Sequence, residues 1–204
     1  ILSGLVGSEM CIRDRSYDYT EFPEEHRSEY DIICSIVSAN AKVLDLGCGN
    51  GSLLHLLSSK KNISGCGVEI SESGVNISRA KGLNVTLGRI DETLPFSDKE
   101  FDYAICNVTL QMTMFPEKLL SEMSRVSKYQ IVSFPNFGFY RNRVDMLIKG
   151  RMPKPMLFDY SWYSTGHIHQ LSINDFEDYI LSSGEMKIIS VSFGDNLAGW
   201  KGVL

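Results

Sequence analysis

The amino-acid sequence predicts an α/β domain built on a doubly wound, mostly parallel sheet. Short apolar runs alternate with helical patterns, and a glycine-rich turn follows the first apolar run, in "KVLDLGCGNG" at Lys42–Gly51. Strands that helices cover on both faces are apolar throughout, and this is the composition of the runs here. Right-handed crossovers then wind the helices onto both faces of the sheet.

The predicted elements follow one another from residue 25 to residue 193. Strands are predicted at Val43–Leu46, Gly65–Ile70, Val85–Leu87, Phe101–Asn107, Gln130–Phe134 and Met186–Phe193. Helices are predicted at Glu25–Ala39, Ser52–Ser59, Ser73–Ala80, Pro116–Val126, Phe139–Lys149 and from Ser172 onward. The last of these begins with a serine that has an acid three residues later, which is close to a capping box.

The composition argues against several classes of function. A formal net charge of -5 argues against a general nucleic-acid binder, because no basic excess is present to neutralise phosphates. No apolar run approaches the length of a bilayer span. The scattered cysteines indicate a reduced, cytoplasmic protein and show no zinc spacing, so no metal is predicted. These cysteines are Cys11, Cys34, Cys48, Cys66 and Cys106.

The ends of the chain are set apart from the fold. Residues 1–16 are neither a signal peptide nor a periodic helix, and we expect a disordered or non-native leader there. Residues 17–204 are expected to form one domain, because no repeat or linker divides them.

The glycine turn predicts a ligand site. Asp45 precedes Gly47, Gly49 and Gly51, and Glu69 ends the second strand. Glycine lets a ligand lie against bare backbone, and an acid on the second strand can bind ribose hydroxyl groups. The spacing departs from the G-x-G-x-x-G of dinucleotide binders. It resembles the D-x-G-x-G-x-G signature of class I S-adenosylmethionine (SAM)-dependent methyltransferases.

Charge also favours SAM over a nicotinamide dinucleotide, because SAM carries a sulfonium and an ammonium but no phosphate, and Asp45 suits a cation. A nicotinamide-dependent oxidoreductase is the weaker alternative. The predicted SAM site also includes Cys48 in the turn, Ile70 after Glu69, and Asn107 at the end of the fourth strand. Asn107 alone is a weak signal, since asparagine is common at strand ends.

Longer segments resemble the methionine biosynthesis protein MetW family. They include "LDLGCGNGSLL", "LPFSDKEFDYAICNVTLQMT" and "IVSFPNFGFYRNRVDMLIKGRMP". The resemblance implies a class I methyltransferase (Rossmann-like) fold and a role in methionine biosynthesis beside a homoserine O-acyltransferase. Such sheets usually end with an antiparallel seventh strand. Residues 194–204 are short and glycine-rich, so we expect a truncated chain that lacks a complete seventh strand.

One position departs from the methyltransferase pattern. Arg89 stands where these enzymes commonly have an aspartate for the adenine amino group. A guanidinium has no acceptor, so it cannot take that hydrogen bond. Asp91, with the backbone N–H of Ile90, is the candidate replacement. The alternative is weakened adenine binding, with Asp91 an ordinary loop acid.

The remaining candidates are less specific. His167 and His169 alternate on an extended segment. They orient a methyl acceptor, act as a base near neutral pH, or hydrogen-bond the loop and close the pocket, and this last role is favoured. Tyr160, Trp162 and Tyr163 suit a pocket roof, a partner contact or the core. The stretch "FPNFGFYRNR" suits a lid or a docking surface. Catalysis stays open between a non-catalytic partner subunit and a methyltransferase of a small molecule, inside methionine biosynthesis or outside it.

Overall fold

The computed structural model describes residues 17–20, 27–153, 165–184, 186–193 and 200–203. The strands are β1 Lys42–Leu46, β2 Ser64–Glu69, β3 Asn84–Leu87, β4 Phe101–Asn107, β5 Ser127–Pro135, β6 Val191–Phe193 and β7 Trp200–Val203. The helices are α1 Ser28–Ile36, α2 Ser52–Lys61, α3 Glu72–Ala80, α4 Pro116–Val126, α5 Tyr140–Lys149 and α6 Ile173–Ser183, with a 3₁₀ turn at Leu110–Met112.

The strands form one sheet in the order β3-β2-β1-β4-β5-β7-β6. The first five strands pair in parallel, and Asp45 lies opposite Gly67 of β2 and Ile105 of β4. The winding reverses between β1 and β4, so their carboxyl ends flank the crevice in which such sheets bind ligands. The predicted doubly wound, mostly parallel sheet is confirmed.

The expectation that residues 194–204 cannot supply a paired seventh strand is wrong. β7 is antiparallel to both neighbours, with Val203 opposite Val132 of β5 and Val191 of β6. Four residues are enough because partners on both sides satisfy the backbone hydrogen-bonding groups of so short a strand. β6 itself is shorter than the predicted Met186–Phe193. Truncation of the chain stays a prediction.

Two apolar layers cover the sheet. On one face, β-strand residues such as Leu44 and Phe134 pack with α4 and α6, including Met123 and Phe176. On the other face, Val43 and its neighbours pack with α1, α2 and α3. Adjacent residues Val43 and Leu44 belong to opposite layers because side chains alternate along a strand. Helices on both faces leave the carboxyl edge of the sheet as the place for a site.

Local signals explain where several helices begin. Pro116 is at the start of α4, where its missing N–H costs nothing. Ser172 and Asp175 form the capping box that the sequence suggested for α6. No helix among the described residues is both long and apolar enough to span a bilayer. The leader at residues 1–16 and the aromatic residues Tyr160, Trp162 and Tyr163 lie outside the described residues.

Candidate functional site

The glycine-rich turn joins β1 to α2 at the carboxyl end of the first strand. Gly47, Gly49 and Gly51 have positive φ angles of 77°, 55° and 74°. A side chain is excluded at Gly47 for a second reason, since a Cβ atom there would lie 2.6 Å from Cγ2 of Thr109. The turn therefore presents bare backbone at the amino-terminal end of α2, where free N–H groups carry partial positive charge.

Glu69, the last residue of β2, is directed at this turn. Its Oε2 accepts a hydrogen bond of 2.8 Å from the Gly49 N–H, and its Oε1 accepts one of 2.8 Å from the Ser71 N–H. Burial raises the pKa of Glu69, while the hydrogen bonds from backbone amides lower it. A carboxylate has about four acceptor sites, so capacity remains for a ribose hydroxyl group.

Asp45 places a second buried carboxyl group below the turn. Its side chain is almost inaccessible, and burial raises its pKa to about 7, with a smaller contribution from the charge of Glu69. Two buried acids on neighbouring strands favour a ligand that carries positive charge. Such a ligand compensates each carboxylate for the water it has lost and for the repulsion between them.

Cys48 contributes backbone to the turn and packs its side chain inward. A Cβ atom on Gly67 would lie 2.7 Å from the Cys48 Sγ, so the thiol fills the space that this glycine leaves. Burial raises the pKa of the Cys48 thiol and raises that of Cys106 to about 12. Neither thiol is therefore a thiolate nucleophile near neutral pH.

The residues that were predicted to contact adenine differ in exposure and in hydrogen bonding. Ile70 is 41% exposed beside Glu69 and offers an apolar surface to a ring, whereas Ile90 is buried. The Asp91 Oδ2 accepts hydrogen bonds from Met114 N at 2.9 Å and Phe115 N at 3.4 Å. Arg89 Nη2 also lies 2.9 Å from the Asp91 Oδ1. Asp91 thus holds the loop that follows β4, and its role as an adenine acceptor stays a prediction.

The turn after β4 is strained and lies against the glycine turn. Val108 has a φ of 57°, which is unusual for a β-branched residue. Its N–H donates to the backbone oxygen and the Oγ of Ser133, each at 3.0 Å, and the Ser133 hydroxyl bonds Asn107 Oδ1. These bonds hold the strained turn so that Thr109 contacts Gly47. Such strain clusters at functional sites.

The histidine segment closes over this turn by its backbone. The amides of Ile168 and His169 donate to the Gln111 carbonyl oxygen at 2.8 and 3.0 Å, and Gln111 Nε2 donates to Val108 O at 2.8 Å. Gln111 Oε1 and His169 Nε2 are buried without a protein hydrogen-bond partner among the described residues. Burial lowers the pKa of His167, so its ring is neutral near pH 7.

The structure brings most of the predicted residues together. The carboxyl ends of β1, β2 and β4 carry Asp45, Gly47, Gly49, Glu69 and Asn107. Gly51 has a different role, since it lets α2 pack closely against Ser78. Sequence reasoning missed Tyr19, Thr109 and Gln111. Thr109 and Gln111 lie in the quoted segment "LPFSDKEFDYAICNVTLQMT", but that resemblance gives them no role, and no motif surrounds Tyr19. Only the contacts across the sheet edge reveal them. Within the described residues, no three His, Cys, Asp or Glu side chains cluster to hold a metal ion.

Comparison with known proteins decides the family. The sequence model of the methionine biosynthesis protein MetW family matches residues 27–198. The chain belongs to the MetW family. It is also 35% identical over 167 residues to a bifunctional methionine biosynthesis protein MetXA/MetW of Rhodopirellula baltica, covering 77% of this chain and 26% of that protein. This MetW-family chain thus spans about a quarter of the length of that relative. An uncharacterised protein of Methanocaldococcus jannaschii is 33% identical over 85 residues, 42% of this chain and 38% of that protein.

Solved structures show the fold. Magnesium protoporphyrin IX methyltransferase of Synechocystis, with bound S-adenosylhomocysteine, matches with a TM-score of 0.66 and 18% identity, over 86% of this chain and 80% of that one. A SAM-dependent methyltransferase of Thermotoga maritima matches with a TM-score of 0.61 and 20% identity, over 86% and 87% of the two chains. The MetW-family chain therefore has the class I methyltransferase fold.

Proposed function

We propose that this chain binds SAM and acts in methionine biosynthesis beside a homoserine O-acyltransferase. The hydrogen bond from Gly49 to Glu69 is the main support for SAM binding, because it holds a carboxylate against bare backbone where the winding of the sheet reverses, and such a carboxylate suits ribose hydroxyl groups. Asp45 supports SAM over a dinucleotide, since a buried acid favours a sulfonium and repels a pyrophosphate. Buried free cysteines suit the reducing cytoplasm.

Calorimetric titration of the full chain with SAM, S-adenosylhomocysteine and NAD tests the cofactor. Saturable binding of SAM and S-adenosylhomocysteine, with no heat from NAD, is the expected result. Both sulfur compounds share the nucleoside and the amino-acid end, so both should bind. Binding of NAD without SAM would contradict the proposal and favour the nicotinamide alternative.

The partner part is supported by a relative whose name joins MetXA and MetW in one chain. It is also supported by α5, whose first four residues are the end of the predicted docking stretch "FPNFGFYRNR". This helix exposes Leu147 by 85%, Ile148 by 75% and Tyr140 by 58%. An apolar helix face of this kind suits a protein interface. We assign it to the acyltransferase, because fusion keeps the two proteins side by side in the relative.

Co-purification tests this assignment with a matched pair of variants. Leu147→Glu places a charge on α5, and Leu181→Glu places one on α6, where Leu181 is 77% exposed. Leu147→Glu should abolish capture of the homoserine O-acyltransferase and any change that this chain causes in its activity, while Leu181→Glu should preserve both. Equal capture by both variants would contradict docking through α5.

A second candidate function, methyl transfer to a small molecule outside methionine biosynthesis, is favoured by one observation. Gln111 Oε1 and His169 Nε2 have no hydrogen-bond partner within the described part of the chain, and they lie next to the turn that contacts Gly47. They suit an acceptor with an amino or hydroxyl group. Alignment alone contributes roughly 7–11 kcal/mol to such a reaction, so no dedicated base is required. Incorporation of label from methyl-labelled SAM into a panel of amines and alcohols would favour this function.

A further inference from the structure

Residues 17–20, termed the N-terminal strap, lie across the carboxyl edge of the sheet. The Ser73 Oγ donates to Tyr17 O at 3.1 Å, and Tyr19 N donates to the Ser73 Oγ at 3.0 Å. The Ser71 hydroxyl also bonds Tyr17 O. The Ser71 amide also donates to Glu69, the proposed ribose-binding residue, so the N-terminal strap is hydrogen-bonded next to that carboxylate.

The ring of Tyr19 rests on two glycines. A Cβ atom on Gly49 would lie 3.1 Å from Tyr19 Cε1 and 3.3 Å from its hydroxyl oxygen. A Cβ atom on Gly74 would lie 3.1 Å from Tyr19 Cδ2 and 3.1 Å from Cγ of Glu69. The Tyr19 ring, the glycine turn and Glu69 therefore lie together, although no sequence motif links them.

We propose that Tyr19 is a SAM-binding residue that forms the outer wall of the nucleoside site. This inference rests on the proposed SAM binding. The ring lies against Gly49 and Gly74, and the Glu69 side chain lies against the same Gly74 position. The Tyr19 side chain is only partly buried, so ring surface remains for a ligand. An aromatic face against a nucleoside supplies apolar contact that the glycines, which have no side chains, cannot supply.

The phenol hydroxyl group adds a donor. Burial and the charge of Glu69 raise the pKa of Tyr19, so the group keeps its proton near neutral pH. A neutral phenol beside a carboxylate adds no third negative charge to the site. The ring and the hydroxyl group are thus separable contributions.

Calorimetry on the full chain separates them with three variants. Tyr19→Ala removes ring and hydroxyl, Tyr19→Phe removes only the hydroxyl, and Tyr129→Ala removes an aromatic ring at the opposite edge of the sheet, where Tyr129 packs on Tyr103. Tyr19→Ala should weaken the binding of SAM and of S-adenosylhomocysteine about tenfold, because both share the nucleoside. Tyr19→Phe should weaken both by about threefold or less, and Tyr129→Ala should leave both unchanged.

Several results would overturn the inference. One is unchanged or tighter SAM binding by Tyr19→Ala with an intact circular dichroism spectrum. Another is a loss confined to SAM, which would move the contact from the nucleoside to the sulfonium. If the wild type binds no SAM but Tyr19→Ala does, Tyr19 blocks the site and only the proposed function survives. If neither binds, the proposed function fails as well. Should Tyr19→Ala not fold, Tyr19→Leu keeps the burial without the ring, and the same losses and contradictions apply to it.

Discussion

The two ends of the sheet crevice differ in how their polar atoms are satisfied. One end lies at the glycine turn, where SAM is proposed to bind; it is called the cofactor end. There Glu69 accepts hydrogen bonds from amides of the glycine turn and of the start of α3. The other end lies at the turn after β4 and is where a methyl acceptor is proposed to bind; it is called the acceptor end. There the strained Val108 supports Gln111 and His169, and each of these has a buried polar atom without a protein partner among the described residues. At the first end both Glu69 oxygens have a backbone amide as partner, and acceptor sites remain on the carboxylate for a ribose hydroxyl group. The second leaves hydrogen-bonding capacity for another molecule.

This difference separates two requirements of the fold. A cofactor that is bound mostly by backbone needs a preformed turn, and positive φ angles with short contacts fix that turn. A methyl acceptor would need side-chain groups whose bonds form only when it binds, and the two atoms that lack a partner among the described residues suit that need. Changes at the cofactor end should therefore lower both stability and SAM affinity. Changes at the acceptor end should leave SAM affinity unchanged.

The largest effect is expected at Gly47. Gly47→Ala forces a side chain into a positive φ and against Thr109, so it should destabilise the protein by about 3 kcal/mol. Gly82 provides the control, because it has a φ of 78° and nothing within 4 Å of the Cβ position. Gly82→Ala should cost about 1 kcal/mol in urea unfolding. Equal costs would show that the contact with Thr109 is loose in solution.

The next largest effect is expected at Arg89. Arg89→Asp would restore the common adenine acceptor, so the sequence pattern alone would suggest a gain in SAM affinity. In the structure it sets an acid beside buried Asp91 and removes an ion pair of 2.9 Å. Thermal unfolding should show a loss of about 2 kcal/mol, with no gain in affinity. Glu92→Ala removes only the exposed partner of Arg89 and should cost less than about 0.5 kcal/mol.

If the chain binds SAM as proposed, Asp45 should make the affinity depend on pH. Its pKa is raised to about 7 in the free protein, and a bound cation favours the carboxylate. Below pH 7 binding must expel a proton, so affinity should fall by up to about tenfold per pH unit and level off above pH 7. Stability of the free protein follows the opposite direction. The folded state retains a proton that the unfolded state has lost, so stability falls as pH rises from 3.8 to about 7.

Calorimetry and urea unfolding across this pH range, with Asp45→Asn as the comparison, check both trends. The asparagine variant has no carboxylate to titrate, so both slopes should flatten. A slope that persists in Asp45→Asn would assign the titration to another group.

The smallest effect is expected at the acceptor end. His169→Leu removes a buried nitrogen for which the described residues offer no partner, so stability should stay unchanged or rise by about 1 kcal/mol. His55→Leu, at an exposed position on α2, should stay within about 0.5 kcal/mol. SAM affinity should be the same in both variants. A marked loss of stability in His169→Leu alone would show that the Nε2 atom has a partner in solution.

Sequence predicted the parts of the fold that depend on local pattern. Apolar runs and glycine spacing placed the first five strands, the turn and Glu69 correctly, because period and turn chemistry are local properties. β7 was missed because its four residues gain stability from pairing with β5 and β6, which no local pattern records. Tyr19 and Gln111 were missed for the same reason. Their neighbours are distant in the chain, and Asp91 likewise received a loop contact that its sequence position does not reveal.

SAM binding by wild type, Glu69→Ala and Glu72→Ala, measured by calorimetry, tests the central claim most directly. Glu72 is the matched control, because it is an exposed acid in the first turn of α3. Wild type and Glu72→Ala should bind SAM with similar affinity, and Glu69→Ala should bind about a hundredfold more weakly, since two hydrogen bonds to a charged group are lost. Equal affinity in all three proteins would contradict the assignment of Glu69 as the ribose acceptor.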